Sequence, residues 1–532
     1  MTRQSSPRHR TKKAPTRSAG TAGGGVEIQT VDESAGDQPK GRHIVVGIGA
    51  SAGGLEAFTQ LLQHLPTDTG MAFVLVQHLD PARDSALSDI LSRATSLPVR
   101  EVTDDQPTEP NHIYVIPPNA NLSIAAAVLK LQPRQRAGPH RSIDSFFESL
   151  AQDQRERAIG VILSGTATDG TLGLEAIKAE GGITFAQDDT AKYDSMPRSA
   201  IAAGCVDFVL KPEDIAKELA RIAKHPYVAG QLAEHFASPE DDRAFATAHE
   251  DDETPLPSGG HGTPHNEARQ AHDEGEARGK AADNGFKKIL LLLRNHCGVD
   301  FSLYKSSTIQ RRIARRMVLN KQDSLEDYAQ FLRGNSKELD ALYSDVLISV
   351  TSFFRNPEAF DILKRKVFPK LLQQRGDEPF RVWTLGCSTG QEAYSIAMAF
   401  VEAAEKAPRM RKLQVFATDL NEALLDKARH GLYARSLAQD VSPERLRQFF
   451  VEEEGGYRIV KSLREMVVFA RQNFISDPPF SRMDLVSCRN LMIYLEPSLQ
   501  QKLLPTFHYA LSNRPVITAL LCPGEVWWVC RP

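Results

Sequence analysis

The sequence predicts an α/β protein of two doubly wound parallel-sheet domains, with a small all-helical subdomain leading the second. Three observations carry this expectation. Apolar runs of strand length alternate with amphipathic helical stretches in two separate regions. Polar segments punctuated by Gly and Pro bracket the first region, and a stretch of purely helical periodicity opens the second.

The chain has 532 residues, room for several domains at roughly 100–200 residues each. Hydrophobic residues make up 41% and charged residues 25%, a balance able to fill a core. A formal net charge of -3 gives no global attraction to nucleic acid or to an anionic membrane. No apolar run approaches the roughly 20 residues that span a bilayer, so no membrane insertion is expected. The N-terminus, MTRQSSPRHRTKKAPTR, is basic but has no apolar stretch and does not read as a secretory signal. The six cysteines (Cys205, Cys297, Cys387, Cys488, Cys522, Cys530) are scattered and form no CxxC pair. That argues against a disulfide framework and against a metal site, and the expected compartment is the cytoplasm.

Taken in order, residues 1–41 form a basic tail nearly devoid of large apolar groups, expected to be disordered. Residues 42–235 form the first α/β domain, with strand runs HIVVGIGA, AFVLVQH, HIYVIPP and AIGVILSG. A flexible linker is expected over 236–284; it carries His249, His261, His265 and His272. Gly262 and Pro264 make a helix that would pair His261 with His265 as ligands unfavourable. A helical subdomain follows over 285–372, through FKKILLLLRNHCGVDF, STIQRRIARRMVL and LEDYAQFLRG. The second α/β domain is expected over 373–532, with strands in FRVWTLGC, LQVFATD, MVVFARQNF and DLVSCRN and an atypical tail from 512.

In a parallel α/β sheet, chemistry gathers at the carboxyl ends of the strands. In the first domain HIVVGIGA runs into Ser51, AFVLVQ into His78, and IGVILSGTAT into Asp169. A serine needs a base for its proton and the base needs an orienting acid, so these three suffice for acyl transfer. Gly47, Gly49, Gly53 and Gly54 suit a tight turn into a helix whose free N–H groups hold an oxyanion. Each residue also has a plain reading: Ser51 as a helix N-cap, His78 as a surface side chain, Asp169 as turn chemistry. A rival reading takes Gly47-x-Gly49-xxx-Gly53 as a dinucleotide-binding turn, with Asp80 on a ribose. It leaves His78 and SGTATDGTLG without a role.

The segments GIGASAGGLEAF, VLVQHLD, YVIPPN, VILSGTATDGTLGLEAIKAEGG and AQDDTAKYDSMPRSAI resemble the catalytic domain of the chemotaxis receptor methylesterases (CheB type), in the family's order over residues 44–210. The resemblance implies Ser51 as nucleophile, His78 as general base and Asp169 as orienting acid. It implies methyl-glutamate side chains on receptor helices as substrate, with glutamine deamidation as a side activity. Family members usually carry Thr after the serine and Met-Gly in the aspartate motif, where this chain has Ala52, Thr166 and Ala167. The usual phosphorylated receiver domain is not expected from residues 1–41, nor the control it would bring.

In the second domain, the turn Gly386 to Gly390 follows a strand and precedes a helix, a place suited to the methionine end of S-adenosylmethionine. Asp419 ends the next strand, where a carboxylate can accept both ribose hydroxyls. These two features identify a Rossmann-like nucleoside site and leave NAD open, and Asp419 also reads as a helix N-cap. Asp477-Pro478-Pro479-Phe480 matches a motif of methyltransferases that act on nucleic acid bases. Here it precedes the fourth strand rather than following it, so it reads as a loop, and no nucleic acid partner is expected.

TSFFRNPEAF, VWTLGCSTGQEAYSIAMAF, FATDLNEALLDKAR and MDLVSCRNLMIYLEP resemble the chemotaxis receptor methyltransferases (CheR type) over residues 286–511. The resemblance implies S-adenosyl-L-methionine as cofactor, held by Thr351, Arg355, Glu392, Asp419, Asn473, Phe474, Asn490 and Leu491, with Ser349 at a position where the family often has Asn. It implies methyl-accepting chemoreceptors as partners. A glutamate with an ordinary pKa of about 4.3 is already an anion at neutral pH, so transfer needs alignment rather than a base; Arg355 would steer the carboxylate and Tyr494 bound the pocket. Arg311, Arg312, Arg315 and Arg316 crowd one and a half helical turns. They read either as a solvated face or as a dock for an acidic receptor helix.

The family continues into a glycine-led hairpin that completes the sheet, whereas this chain reads NRPVITALLCPGEVWWVCRP. Missing edge strands would expose backbone groups and impair the methyltransferase. The expected function is therefore glutamate methyl-ester hydrolysis and methylation in one chain. The rivals are a receptor scaffold without turnover and an NAD-dependent oxidoreductase.

Overall fold

The computed structural model describes residues 43–77, 87–133, 141–226, 284–372, 378–405, 412–435, 440–454, 456–511, 518–522 and 525–529. The expected disordered tail, nearly all of the linker with its histidines, and His78 lie outside these residues.

Seven parallel strands form the first sheet: β1 (Val45–Ala50), β2 (Ala72–Gln77), β3 (Val99–Glu101), β4 (Ile113–Val115), β5 (Ala158–Ile162), β6 (Ile183–Gln187) and β7 (Phe208–Leu210). Their order is β7-β6-β5-β1-β2-β4-β3. Every residue of β1 and β5 is buried, which is why these strands read as unbroken apolar runs rather than alternating ones. Helices α1 (Gly54–Gln63), α2 (Ser142–Gln154), α3 (Thr171–Ala179) and α4 (Pro212–Ala223) cover the two faces. Gly47 and Gly49 lie inside β1, and a Cβ added there would meet Phe147 at 2.8 Å and Ile143 at 2.5 Å. These glycines let α2 pack closely on the strand. They do not form a phosphate-binding turn, which removes the physical basis of the dinucleotide reading.

The helical subdomain comprises residues 284–297, here α5, followed by α6 (Ser306–Leu319), α7 (Leu325–Leu332) and α8 (Ser336–Val346). The Ser324 hydroxyl accepts the Asp327 N–H and the Asn335 side chain the Glu338 N–H, so α7 and α8 begin at capped ends. Its core is continuous with the next domain: Phe286, Ile313 and Leu325 share one cluster with Trp383, Leu495 and Phe507.

The second sheet pairs four parallel strands, β8 (Phe380–Leu385), β9 (Leu413–Asp419), β10 (Val467–Arg471) and β11 (Leu485–Ser487), in the order β10-β9-β8-β11. Helix α9 (Gln391–Ala404) follows β8 and α10 (Pro497–Ala510) follows β11. A three-stranded antiparallel piece (Leu432–Tyr433, Phe450–Glu453, Gly456–Ile459) is inserted between β9 and β10, and the strand patterning did not single it out. The atypical tail holds an antiparallel hairpin, Thr518–Cys522 with Glu525–Val529, whose first strand runs close to β11. Among the described residues this hairpin is a two-stranded sheet of its own and is not hydrogen-bonded into the four-stranded one.

The arginine-rich helix is neither a solvated face nor a free dock. Arg312 and Arg315 are 5% and 2% exposed. The Arg312 guanidinium donates to the carbonyls of Lys178 and Ala179, at the end of α3. Arg315 donates to the Gly182 carbonyl at 3.0 Å and pairs with Asp207 of the first domain and Asp345 of α8. Val318 joins the same buried cluster as Ile183, Leu219 and Ile222. Around it, Arg221 donates to the Val318 carbonyl at 2.9 Å and His225 to that of Gln322 at 3.0 Å. Burial alone would raise the Asp207 carboxyl, but Arg315 and then Lys178 outweigh it and hold it below the usual carboxylate range.

Replacing Arg315 with alanine leaves Asp207 and Asp345 without their guanidinium, so Arg315→Ala should cost about 3–5 kcal/mol. Chemical unfolding of the two proteins side by side checks this; a loss under about 1 kcal/mol would show the pair to be dispensable.

Candidate active sites

In the first sheet the strand order reverses between β1 and β5, whose carboxyl ends open a crevice. Ser51 follows β1 directly and Asp169 lies in the loop after β5. The Ser51 N–H donates to the Ser164 carbonyl at 3.0 Å, tying the two strand ends together. Gly53, at φ 75°, turns the chain into α1. Across the crevice, a Cβ on Gly165 would meet Met196 Sδ at 2.1 Å and Ser51 Cβ at 3.1 Å, so only glycine lets that loop close over the serine. The Ser164 hydroxyl donates to the Ala52 carbonyl at 2.8 Å and accepts the Tyr193 N–H at 3.0 Å. Ala167 sits at φ 70°, a left-handed conformation that costs an L-residue roughly 1–2 kcal/mol. It is one of the three residues where the chain departs from the family pattern.

Asp169 is 5% exposed, and its two oxygens accept the N–H groups of Ile143 and Asp144, both at 3.0 Å, in the first turn of α2. Asp144 returns the contact: its Oδ1 accepts the N–H groups of Gly170 at 2.9 Å and Gly173 at 2.8 Å, at the start of α3. The two helices thus exchange caps, and the exchange sets two buried carboxyl groups beside each other. Burial, and then the Asp169 charge, push the Asp144 carboxyl well above the usual carboxylate range. Residue patterning missed Asp144, because its spacing to Asp169 carries meaning only once α2 and α3 are packed. His78 follows β2 in sequence, the strand next to β1, and its position lies outside the described residues.

In the second domain the order reverses between β8 and β11. A cleft of about 930 Å³, open mouth included, lies there. Thr351, Arg355, Glu392, Asp419, Phe474, Asn490 and Leu491 all line it, together with Ser349 and Tyr494. Asn473 is not among the lining residues; its side chain accepts the Ile475 N–H at 3.1 Å within a turn. The neighbouring Gln472 lines the cleft instead, and among the described residues its buried Oε1 has no hydrogen-bond partner. Sequence patterning also passed over Arg489, which pairs with Glu392 at 3.5 Å, while the Ser487 hydroxyl donates to Glu392 at 2.6 Å.

Asp419 ends β9, and its carboxylate accepts the N–H groups of Ser388 at 2.8 Å and Asn421 at 2.9 Å. It therefore braces the turn that leads into α9. The cap of the following helix is Asn421, whose side chain accepts the Leu424 N–H. Gly386 has φ 60°, and a Cβ there would have the Leu491 side chain, at 3.4 Å, as its nearest neighbour. The Asp-Pro-Pro-Phe segment forms a loop whose Phe480 ring packs on Trp383 and Phe416.

A serine and a buried aspartate stand at adjacent strand ends, and a nucleoside-sized cleft opens at a second switch point, in a two-domain α/β protein. Comparison with known proteins divides the chain in the same way. The family model CheB methylesterase matches residues 46–219; CheR methyltransferase, all-alpha domain, matches 284–347; and CheR methyltransferase, SAM binding domain, matches 349–519. A chemotaxis protein methyltransferase of Listeria monocytogenes is 32% identical over 203 residues, 38% of this chain and 76% of that protein. Protein-glutamate methylesterase/protein-glutamine glutaminase 2 of Burkholderia lata is 39% identical over 183 residues, 34% of this chain and 54% of that protein. An uncharacterized 104.1 kDa protein of Rhodobacter capsulatus is 37% identical over 429 residues, 80% of this chain; the chain spans 43% of its length.

The chain belongs to the CheB methylesterase and CheR methyltransferase families, joined in that order. The cofactor of the second domain is S-adenosylmethionine. The cleft fits it: Gln472 offers an unused buried acceptor, Gly386 an open backbone edge, and Asp419 a carboxylate at the strand end. Among the described residues no helix is long and apolar enough to cross a membrane, and no cluster of His, Cys, Asp and Glu suits a metal ion.

Because the folded state raises the Asp144 carboxyl, it holds that proton through a pH range in which the unfolded chain has already lost it. The linked stability is present at acid pH and declines as pH rises from the ordinary carboxylate range toward neutrality. Asp144→Asn keeps an acceptor for Gly170 and Gly173 but has no proton to lose, so the decline should flatten. Melting temperatures at about pH 5 and about pH 8 measure it; an equally steep decline in both proteins would refute the linkage.

Proposed function

We propose that the chain hydrolyses methyl esters of receptor glutamates at its first site, deamidates glutamine there as a side activity, and methylates receptor glutamates at its second. The observation that supports the first activity best is the placement of Ser51 and Asp169 at the paired ends of β1 and β5. Ser51 Oγ attacks the ester carbonyl as His78 takes its proton, and the N–H groups opening α1 hold the oxyanion. His78 then returns the proton to the departing methanol, and water releases the carboxylate by the same route. Asp169 orients His78, and the α2 N–H groups on both of its oxygens keep the acid from rotating away.

At the second site, bound S-adenosylmethionine supplies an electrophilic methyl group. The chain's own task is orientation and exclusion of water. Arg355 and Tyr494 align the incoming carboxylate, and the Glu392–Arg489 pair and Asp419 keep the cleft walls in place. The partners are methyl-accepting chemoreceptors, and the compartment is the cytoplasm. The atypical tail bears on turnover of this site more than of the first, because its hairpin runs beside β11.

Ser51→Ala should abolish methanol release from a methylated chemoreceptor, by at least about a thousandfold. Undiminished release would refute the nucleophile. Titration of the chain with S-adenosylhomocysteine should show one-to-one binding that Asp419→Ala removes; a folded chain that binds none would leave the second domain a docking module without turnover.

A further inference from the structure

The segment from Ser349 to Asn356, between the helical subdomain and the second sheet, lines the methyl-donor cleft with Ser349, Val350, Thr351 and Arg355. It holds two non-glycine residues in left-handed backbone, Phe354 at φ 52° and Asn356 at φ 57°. Such a conformation persists only where surrounding contacts enforce it. Those contacts come from the sheet domain. The Ser388 hydroxyl donates to the Ser349 carbonyl at 2.7 Å, and the Phe354 N–H donates to the Ser395 hydroxyl at 3.0 Å. The Arg445 guanidinium lies 3.7 Å over the Phe354 ring.

At Arg355 and Asn356 the grip comes from Arg489, 8% exposed and just beyond β11. One of its terminal nitrogens donates to the Arg355 carbonyl and, at 3.2 Å, to the Asn356 side chain. The other stands 3.5 Å from Glu392, in the first turn of α9. The guanidinium lies 5.0 Å from the centre of the Phe360 ring. Burial lifts the Glu392 carboxyl above the usual range, and the Arg489 charge is the strongest influence drawing it back. The Arg355 guanidinium in turn donates to the Val350 carbonyl at 3.0 Å, so that side chain moves with its own loop. One planar fork therefore joins the cleft wall at Glu392 to the loop that carries Arg355.

We propose that Arg489 is a positioning residue for methyl transfer: its fork fixes the Arg355 loop against Glu392, so that Arg355 meets the acceptor carboxylate in line with the donor methyl group. This rests on the reading of Arg355 as the residue that aligns the acceptor. A lysine keeps a charge to oppose Glu392, but one ammonium does not reproduce a planar fork packed on a ring. Because Arg489 acts on alignment, rate and cofactor affinity separate in its variants.

In the full chain, Arg489→Lys should lower kcat for methylation of a purified chemoreceptor cytoplasmic fragment about a hundredfold at saturating S-adenosylmethionine. The Kd for S-adenosylhomocysteine should stay within about threefold of that of the unaltered chain, because the charge at Glu392 is kept. In Arg489→Ala, millimolar guanidinium should restore transfer and ammonium should not, a rescue that a merely loosened fold would not show. If Arg489→Ala does not fold, the split between kcat and Kd in Arg489→Lys decides alone.

An unchanged kcat in Arg489→Lys, or a Kd that rises in proportion to the loss of kcat, would overturn the proposal. So would absence of rescue in an Arg489→Ala protein that still binds S-adenosylhomocysteine. Arg355→Lys, measured alongside, tells the two readings apart. If it leaves transfer unaltered, or if the unaltered chain transfers nothing, the acceptor reading of Arg355 fails and this proposal fails with it. If it slows transfer while Arg489→Lys does not, only the role of Arg489 is refuted.

Discussion

Arg315 carries a charge in a place where water cannot reach it, and the arrangement of the whole chain follows from how that charge is neutralised. A buried guanidinium is tolerated only when its donors are met and its charge is opposed. Here the Gly182 carbonyl, Asp207 and Asp345 do both, and they come from two domains. Neither domain alone could bury this side chain without leaving it under-compensated. The surrounding contacts, from Arg312 on the end of α3 to Val318 in the methylesterase core, build on the same helix.

Both domains then use one geometric rule for different chemistry. A parallel sheet whose strand order reverses leaves a crevice at the carboxyl ends of two neighbouring strands. In the first domain the crevice is narrow: Gly165 closes to within 3.1 Å, measured from its added Cβ, of the Ser51 side chain. In the second it stays open as a cleft lined by residues of β9, of the loops that follow β8 and β11, and of the helical subdomain. Continuity of the helical subdomain's core with Trp383 explains why a helix can line a pocket in the sheet domain. The exchanged caps of Asp144 and Asp169 show how the first domain fixes its acid: two helices each satisfy the other's free N–H groups.

The strands were legible because burial on both faces writes them as apolar runs, and their ends pointed to Ser51, Asp169 and Asp419 before any packing was known. What misled was local pattern read without its neighbours. Gly47 and Gly49 look like a phosphate turn, yet they are spaces for Phe147 and Ile143. Four clustered arginines look like an exposed face, yet two of them are buried between domains. Gln472 was passed over for Asn473, one residue away, because a turn decides which of two adjacent side chains faces the cleft.

The sequence by itself determined the two-domain α/β architecture, the strand ends on which chemistry would fall, and the families the motifs resemble. These depend on period, on hydrophobicity and on contiguous motifs, all of which are properties of neighbouring residues along the chain. Only the tertiary structure decided that Asp144 stands behind Asp169, that Arg489 pairs with Glu392, and that α6 lies buried against the methylesterase domain. Each of these joins residues between 25 and 133 positions apart along the chain. No local pattern encodes such a pairing, because the free energy that selects it arises only when distant surfaces exclude water together.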